Sequence, residues 1–471
     1  MLFTTSVYVK LALLVSASIA SALPSPPHRP AAASNVRKRD DASAPVAASW
    51  YANWHATDVP LANLSWSKYT HMIYSFGTTS ATEYVSLTDQ DQTLLPDFVK
   101  NAHANNVKAL LSIGGWGGGT NYSTIVGDAT HRSGFVKTIA DLVKQYSLDG
   151  IDFDWEFPNG EGIGCNAHSA DDTANFLSFL QELRADPTGS NLFLTAAAGI
   201  RPWNDAKGDP SKNVTGFSTV LDYVAIMNYD IYGSFSSTAG PNAPLNDSCV
   251  ADKSQAAGSA VSAVNAWHTA GIPLNQLVLG VPAYGHSYSV KPAAALPKGS
   301  SGELVAFPAF DNKSQPMGDS WDSAAPFTDV CGNTQGASGV FDYWGLVKGG
   351  WLSENGTAAE GISHLFDECS QTPFVYNSSS GVFVSYDDAQ SLAAKGSFIK
   401  TMGLRGFSMW ETGGDYKDTL LDSVRSAVGF SDSNKTTTSS GDARLTTAAA
   451  HSSTMKTGKS ATATATIPAT Y

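Results

Sequence analysis

Asp149-Gly-Ile-Asp-Phe-Asp-Trp-Glu156 is the stretch on which the fold of this chain turns. Side chains on a strand alternate faces. Asp152, Asp154 and Glu156 therefore share one face, while Ile151, Phe153 and Trp155 take the other. In a barrel the apolar face meets surrounding helices, so the three carboxyls point inward. Three like-charged groups cannot all stay ionised in a low-dielectric interior, and at least one must hold a proton. Glu156 is the last of them and the nearest to the strand's C-terminal end, where it is placed to give a proton to a bound molecule. The alternatives are a solvated strand face or a metal site. A solvated edge does not call for Ile, Phe and Trp opposite, and a metal site wants histidine nearby, of which His168 is the nearest downstream.

Outward from this strand the pattern repeats between about Asp40 and Phe430. Short apolar or β-branched runs alternate with longer amphipathic stretches. The expected strands are Ala47–Trp54, His71–Phe76, Val107–Gly114, Gly150–Glu156, Leu192–Ala197, Tyr223–Tyr229, Leu277–Ala283 and Arg405–Trp410. Helices are expected at His131–Tyr146, Asp171–Arg184, Ser254–His268 and Asp387–Thr401. Eight such units give an α/β fold, a (β/α)8 TIM barrel, with a doubly wound open sheet as the alternative. No G-x-G-x-x-G follows a strand, which weakens the dinucleotide-binding version of that alternative. The gap between the seventh and eighth strands is far longer than one helix needs. It is dense in aromatics and holds two cysteines, so a small α+β insertion is expected at about residues 287–380, on the face where barrel active sites lie.

The ends read differently. Lys10, an apolar Leu11–Ile19 stretch and the small residues Ala20, Ser21 and Ala22 fit a signal peptide over residues 1–22, too short to span a bilayer. Residues 23–39, rich in Pro and Ala and ending in Lys38-Arg39, read as a propeptide. Of the last 41 residues 18 are Ser or Thr, which marks residues 431–471 as a disordered tail without the hydrophobic end of a lipid anchor. Eight N-x-S/T sequons, at Asn63, Asn121, Asn213, Asn246, Asn312, Asn355, Asn377 and Asn434, fit export to the outside of the cell or the wall. In that setting Cys165, Cys249, Cys331 and Cys369 read as two disulfides, expected as Cys165–Cys249 and Cys331–Cys369 among three connectivities. The formal charge is −13, which argues against nucleic acid and an anionic membrane surface as partners. Residues 1–39 hold five Lys/Arg and no Asp/Glu, so their removal would take the charge to −18. No membrane anchor and a monomer are expected.

The motif D-G-I-D-F-D-W-E resembles the D-x-x-D-x-D-x-E signature of glycoside hydrolase family 18. Three further segments resemble that family in the right order. Ser112-Ile-Gly114-Gly115-Trp116 is similar to its S-x-G-G, Met227-Asn-Tyr229-Asp230 to its M-x-Y-D, and Trp410 closes the last strand where the family keeps an aromatic. One departure is Tyr284-Gly285-His286, where the family usually has Y-G-R.

The resemblance implies a chitinase that hydrolyses chitin and chitooligosaccharides with retention and without a protein nucleophile, the sugar's own N-acetyl group attacking the anomeric carbon. It implies Glu156 as acid then base, Asp154 as the group holding the acetamide N–H, Asp152 as its proton-sharing neighbour, and Tyr229 as the hydroxyl that orients the acetamide. Met227 and Asp230 would line the same pocket and Trp410 would be its floor. No metal or organic cofactor is called for. Sugar C–H faces stack on aromatic rings, so Trp116 joins Trp410 as a binding residue. Tyr51, Phe76, Trp203, Tyr284 and the insertion's aromatics, Trp321 among them, are further candidates with a core role equally open. Gly115, beside Gly114, would let backbone pass close to substrate. The same resemblance leaves two other functions to weigh: an endo-β-N-acetylglucosaminidase on N-glycans, and a non-catalytic chitin-binding lectin, which typically lacks the acid that Glu156 supplies here.

Overall fold

In a computed structural model, which describes residues 44–250, 252–298 and 303–430, eight parallel strands close on themselves. They are β1 (Val46–Ala52), β2 (His71–Ser80), β3 (Lys108–Gly114), β4 (Gly150–Asp154), β5 (Phe193–Ala198), β6 (Tyr223–Ile226), β7 (Leu277–Pro282) and β8 (Gly406–Trp410). Each pairs with the next in sequence, and β8 returns to pair with β1 through Val46 opposite Gly406. This is the (β/α)8 barrel, and the open-sheet alternative is excluded. The expected signal peptide, propeptide and Ser/Thr-rich tail, with Asn434, lie outside the described residues.

Alternation builds the interior. Val46, Ala48, Trp50, Ile73, Leu110, Phe193, Tyr223 and Val278 pack together inside the barrel. The register sets Ser112 beside Asp152 and Asp152 beside Thr195, which makes the next layer toward the C-terminal end polar. The outward face of β4 meets the helices as its sequence requires. Phe153 packs on Phe176 and Phe179 of helix Asp172–Ala185 and on Phe135 of helix Ala129–Tyr146. Trp155 stacks on Tyr122 at 5.0 Å.

Helix starts follow capping chemistry. Asp388 and Ser391 form a capping box for Ala389–Met402, and Gly403, at φ 68°, ends it. The expected helix from Ser254 begins later, at Ala260. Gly258 has a φ of 130°, which no helix accepts, and Ser259 is the cap, receiving the Ser262 N–H.

The insertion carries a five-stranded antiparallel sheet in the order Val340–Asp342, Tyr284–Ser289, Val382–Ser385, Thr372–Asn377, Ser363–Asp367. Its own core contains Tyr288, Phe374, Tyr376 and Phe383. The sheet starts at Tyr284, directly after β7, and ends at Ser385, wider than the expected 287–380.

The disulfides correct the expectation. Cys165 pairs with Cys331 and Cys249 with Cys369, with Cα atoms 5.5 and 5.7 Å apart. Neighbours in sequence are not neighbours in space here. The segment after β6 lies beside the insertion sheet, where Leu245 N–H donates to Ser370 O at 2.8 Å, and this brings Cys249 to Cys369. Cys165, after β4, is reached by a different part of the insertion.

Candidate active site

The three carboxyls of β4 sit at increasing height in the barrel mouth, in three different environments. Asp152 is fully buried. It accepts hydrogen bonds from Trp50 Nε1 at 3.0 Å, Ser112 Oγ at 2.9 Å and Thr195 Oγ1 at 2.5 Å. Burial pushes its pKa up, and these three bonds pull against that rise. Asp154 is buried too, and its Oδ1 has no hydrogen-bond partner. Burial, then the charges of Glu156 and Asp152, hold its carboxyl well above the usual range. Glu156, just past the strand end, is partly exposed. Burial of its carboxyl, then the charge of Asp230, push it up to about 8. A carboxyl that stays protonated at neutral pH at the mouth of a cleft is a proton donor.

Tyr229 follows β6 and is nearly buried. Burial, then the nearby carboxylates led by Asp154, hold its hydroxyl well above the usual pKa, so it remains an O–H donor. Its ring meets Tyr284 edge-on at 6.0 Å. Asp230 adopts a φ of 56°, secured by its N–H donating to Asn242 Oδ1 at 2.9 Å. Its Oδ1 accepts from Tyr284 Oη and His286 Nε2, both at 2.7 Å. The carboxylate lines an open cleft, with about half of its side chain exposed (51%), yet protein packs densely around it. Burial pushes it up, but the hydrogen bond and charge of His286 and the Tyr284 hydroxyl together bring it below the usual range.

Trp410, at the end of β8, is the hub of an aromatic floor. Phe76 stacks on it at 5.7 Å, Trp54 lies 6.2 Å away, and Trp50 meets it edge-on at 5.9 Å. Met227, like Trp410, packs against the neighbouring cluster of Tyr229, Ala243 and Tyr284. Trp410, Asp230, Tyr284, His286 and Trp54 line a cleft of about 470 Å³ together with Trp321 and Phe327 of the insertion.

The structure thus brings Asp152, Asp154, Glu156, Tyr229, Asp230, Met227, Tyr284, Phe76 and Trp410 to one end of the barrel. It does not bring all the others there. Tyr51 points outward on β1, is buried against Phe98 and Tyr74, and donates to Val59 O at 2.9 Å. Trp50 is the inward residue of that pair. Trp203 packs in the core on Phe217 and Trp267. Trp116 stands half-exposed (52%) beyond β3, outside the cleft lining. The glycines before it serve close approach within the chain itself. A Cβ on Gly114 would stand 2.1 Å from Asp154 O, and one on Gly115 would stand 2.9 Å from the Phe76 ring.

This barrel, with its triad and its insertion between β7 and β8, matches over residues 47–415 the pattern of glycosyl hydrolases family 18. The chain belongs to glycosyl hydrolase family 18. A protein of Moniliophthora roreri named chitinase-like effector is 50% identical over 390 residues, 83% of this chain and 94% of that protein. Chitinase A1 of Niallia circulans is 28% identical over 335 residues, 68% of this chain and 42% of that protein. The crystal structure of a chitinase from Rhizomucor miehei superposes with a TM-score of 0.71 at 32% identity, over 81% of this chain and 99% of that one.

Within this family 18 site, the sequence reading passed over Trp54, His55 and Glu411. Trp54 is half-exposed (52%), in the 3-10 turn that follows β1. The signal was its place at the end of a barrel strand. Trp321, one of the insertion's aromatics expected as candidates, does line the cleft, and its ring stacks on His55 at 3.7 Å. Among the described residues of this family 18 chain, no group of three or more His, Cys, Asp or Glu is arranged to hold a metal ion. No described helix is long and apolar enough to cross a membrane.

Proposed function

We propose that this chain hydrolyses β-1,4-linked N-acetylglucosamine polymers, chitin and chitooligosaccharides, with retention of anomeric configuration and with the substrate's own N-acetyl group as nucleophile. The observation that carries this reading is the pairing of Glu156, protonated near neutral pH, with the partnerless buried Oδ1 of Asp154. A buried acceptor without a partner is costly, and an acetamide N–H is a donor of the right kind.

The sugar at the cleavage point lies on Trp410 and pushes its acetamide toward β4. Tyr229 donates its hydroxyl to the acetamide carbonyl and holds that oxygen for attack on the anomeric carbon. Glu156 protonates the leaving glycosidic oxygen. Asp154 accepts the acetamide N–H and steadies the positive oxazolinium intermediate, with Asp152 below it sharing charge. Glu156, now ionised, takes a proton from water, which opens the ring with net retention. Asp230, held ionised by His286 and Tyr284, keeps Glu156 protonated until substrate arrives.

The proposal extends to a secreted monomer acting outside the cell or in the wall, after loss of residues 1–39. The Leu11–Ile19 stretch and two disulfides support it. N-terminal sequencing of secreted protein checks it, with Asp40 the expected first residue.

A second reading has one specific support. The relative at 50% identity is named a chitinase-like effector, so a chain that binds chitin fragments without turning them over is the competitor. Product analysis on chitin oligomers beside a high-mannose glycopeptide separates the readings. Oligomer cleavage supports chitinase, glycan release supports an endo-β-N-acetylglucosaminidase, and binding without cleavage of either supports the effector reading.

A further inference from the structure

Barrel order places β3 and β4 across the mouth from β7 and β8. The insertion leaves between β7 and β8, yet residues 318–339 reach the far side. At the near end Asp322 ties both ends of this loop together. Its Oδ2 accepts from the N–H groups of Gly318 and Gly339 at 2.8 and 2.9 Å, and its Oδ1 from that of Ser338 at 2.9 Å. Toward the tip, Phe327–Thr328 pair antiparallel with Thr334–Gln335. Asp329 Oδ1 closes the turn by accepting from the N–H groups of Cys331 and Asn333 at 2.9 and 2.8 Å.

The tip is fixed covalently. Cys331 is bonded to Cys165, in the segment that follows Glu156. Beside it, a Val330 methyl lies 3.8 Å from where a Cβ on Gly117, after β3, would stand. Between neck and tip, Trp321 stacks on His55 from the β1 turn, and Phe327 lines the cleft. The loop therefore touches segments after β1 and β4, and passes near the one after β3, although it belongs to the β7–β8 side.

We infer that residues 318–339 are a strap laid across the cleft and locked by Cys165–Cys331, which makes the site admit chain ends and short oligomers in preference to the interior of a long polymer. The inference rests on the hydrolysis proposed above. A hairpin with two residues per strand has little stability of its own in water. The disulfide removes open states that the short ladder could not exclude, because it joins residues 166 apart in sequence. A chain end slides beneath the strap. An interior segment must pass sideways through it, which requires the strap to lift.

The test compares the full-length chain with two variants that unlock the strap. One carries Cys165→Ser with Cys331→Ser. The other replaces residues 328–335, which leaves the cleft-lining Phe327 in place, by a short Gly-Ser linker, with Cys165→Ser, and covers the case in which the first does not fold. Each is scored by the viscosity lost from a soluble chitin polymer per reducing end released, beside turnover of a short chitooligosaccharide. Unlocking is expected to raise the viscosity loss per cut several-fold while oligomer turnover stays near wild type. An unchanged ratio in either folded variant overturns the strap.

If the wild type turns over neither substrate, the hydrolysis reading fails and the strap is judged by binding. With Glu156→Gln added to each chain, unlocking should speed association of the long polymer and leave that of the oligomer unchanged. No change, or equal acceleration of both, overturns it.

Discussion

His286 Nε2 donates to Asp230 Oδ1 at 2.7 Å, and the Asp230 charge is, after burial, what keeps Glu156 protonated. The acid of this site is therefore tuned by residues that follow β6 and β7. Asp230→Asn removes that charge, so the pKa of Glu156 should fall. Activity that needs protonated Glu156 declines above that pKa, and the alkaline limb of the kcat profile should move to lower pH. It should stay above the ordinary glutamate value of about 4.3, because burial is the larger cause. A profile of kcat against pH on a short oligomer reads this. A limb that stays in place would show Asp230 to be electrostatically idle.

Stability should fall as pH rises through neutrality. Glu156, Glu411 and Asp415 have folded pKa values raised by burial to about 8, 7 and 6. A carboxyl whose pKa is raised on folding binds its proton more tightly in the folded state. Between the unfolded and folded values the native state holds more protons, so stability declines with pH across that window. The expected result is a higher Tm near pH 5 than near pH 8. Glu156→Gln removes one of these groups, so its Tm should exceed that of the wild type at pH 8 and the gap should narrow at pH 5.

The floor and its rim should separate in their kinetics. Trp410 packs on Trp50, Phe76 and Trp54 and carries the sugar at the cleavage point in the proposed mechanism. Trp410→Ala should lower kcat and raise KM together. Trp54 is half-exposed, so Trp54→Ala should raise KM with kcat near wild type and cost less stability than Trp410→Ala. Steady-state kinetics on oligomers of increasing length, with a melt of each variant, would read both.

Thr195 gives Asp152 its shortest hydrogen bond inside the barrel. Thr195→Val keeps the shape and removes the donor, leaving a buried carboxyl short of a partner. The expected cost is about 1–3 kcal/mol of stability. A lower kcat with little change in KM should accompany it, since Asp152 touches the reaction only through Asp154. Urea unfolding and oligomer kinetics on the same preparation would check both.

Much of this was legible in the chain. The eight strands could be read because a barrel strand carries its alternation on its face, and the inward placement of Asp152 and Asp154 because their carboxyls alternate with Ile151, Phe153 and Trp155. The strand ends were harder. Trp54, Glu156 and Tyr229 lie past the last ladder bond, where alternation no longer says which way a side chain points. Parity could have chosen Trp50 over Tyr51, since Val46 and Ala48 share its inward face. The disulfides were not legible. Cys165 meets Cys331 only because a strap from the β7–β8 side crosses the mouth, and no periodicity records where a long loop lands.

The most direct measurement is the release of reducing ends from an N-acetylglucosamine oligomer by wild type and Glu156→Gln, with binding of the same oligomer measured on both. The account predicts cleavage by the wild type, none by the variant, and comparable binding by both. Binding by the wild type without cleavage, or wild-type turnover by Glu156→Gln, would contradict it.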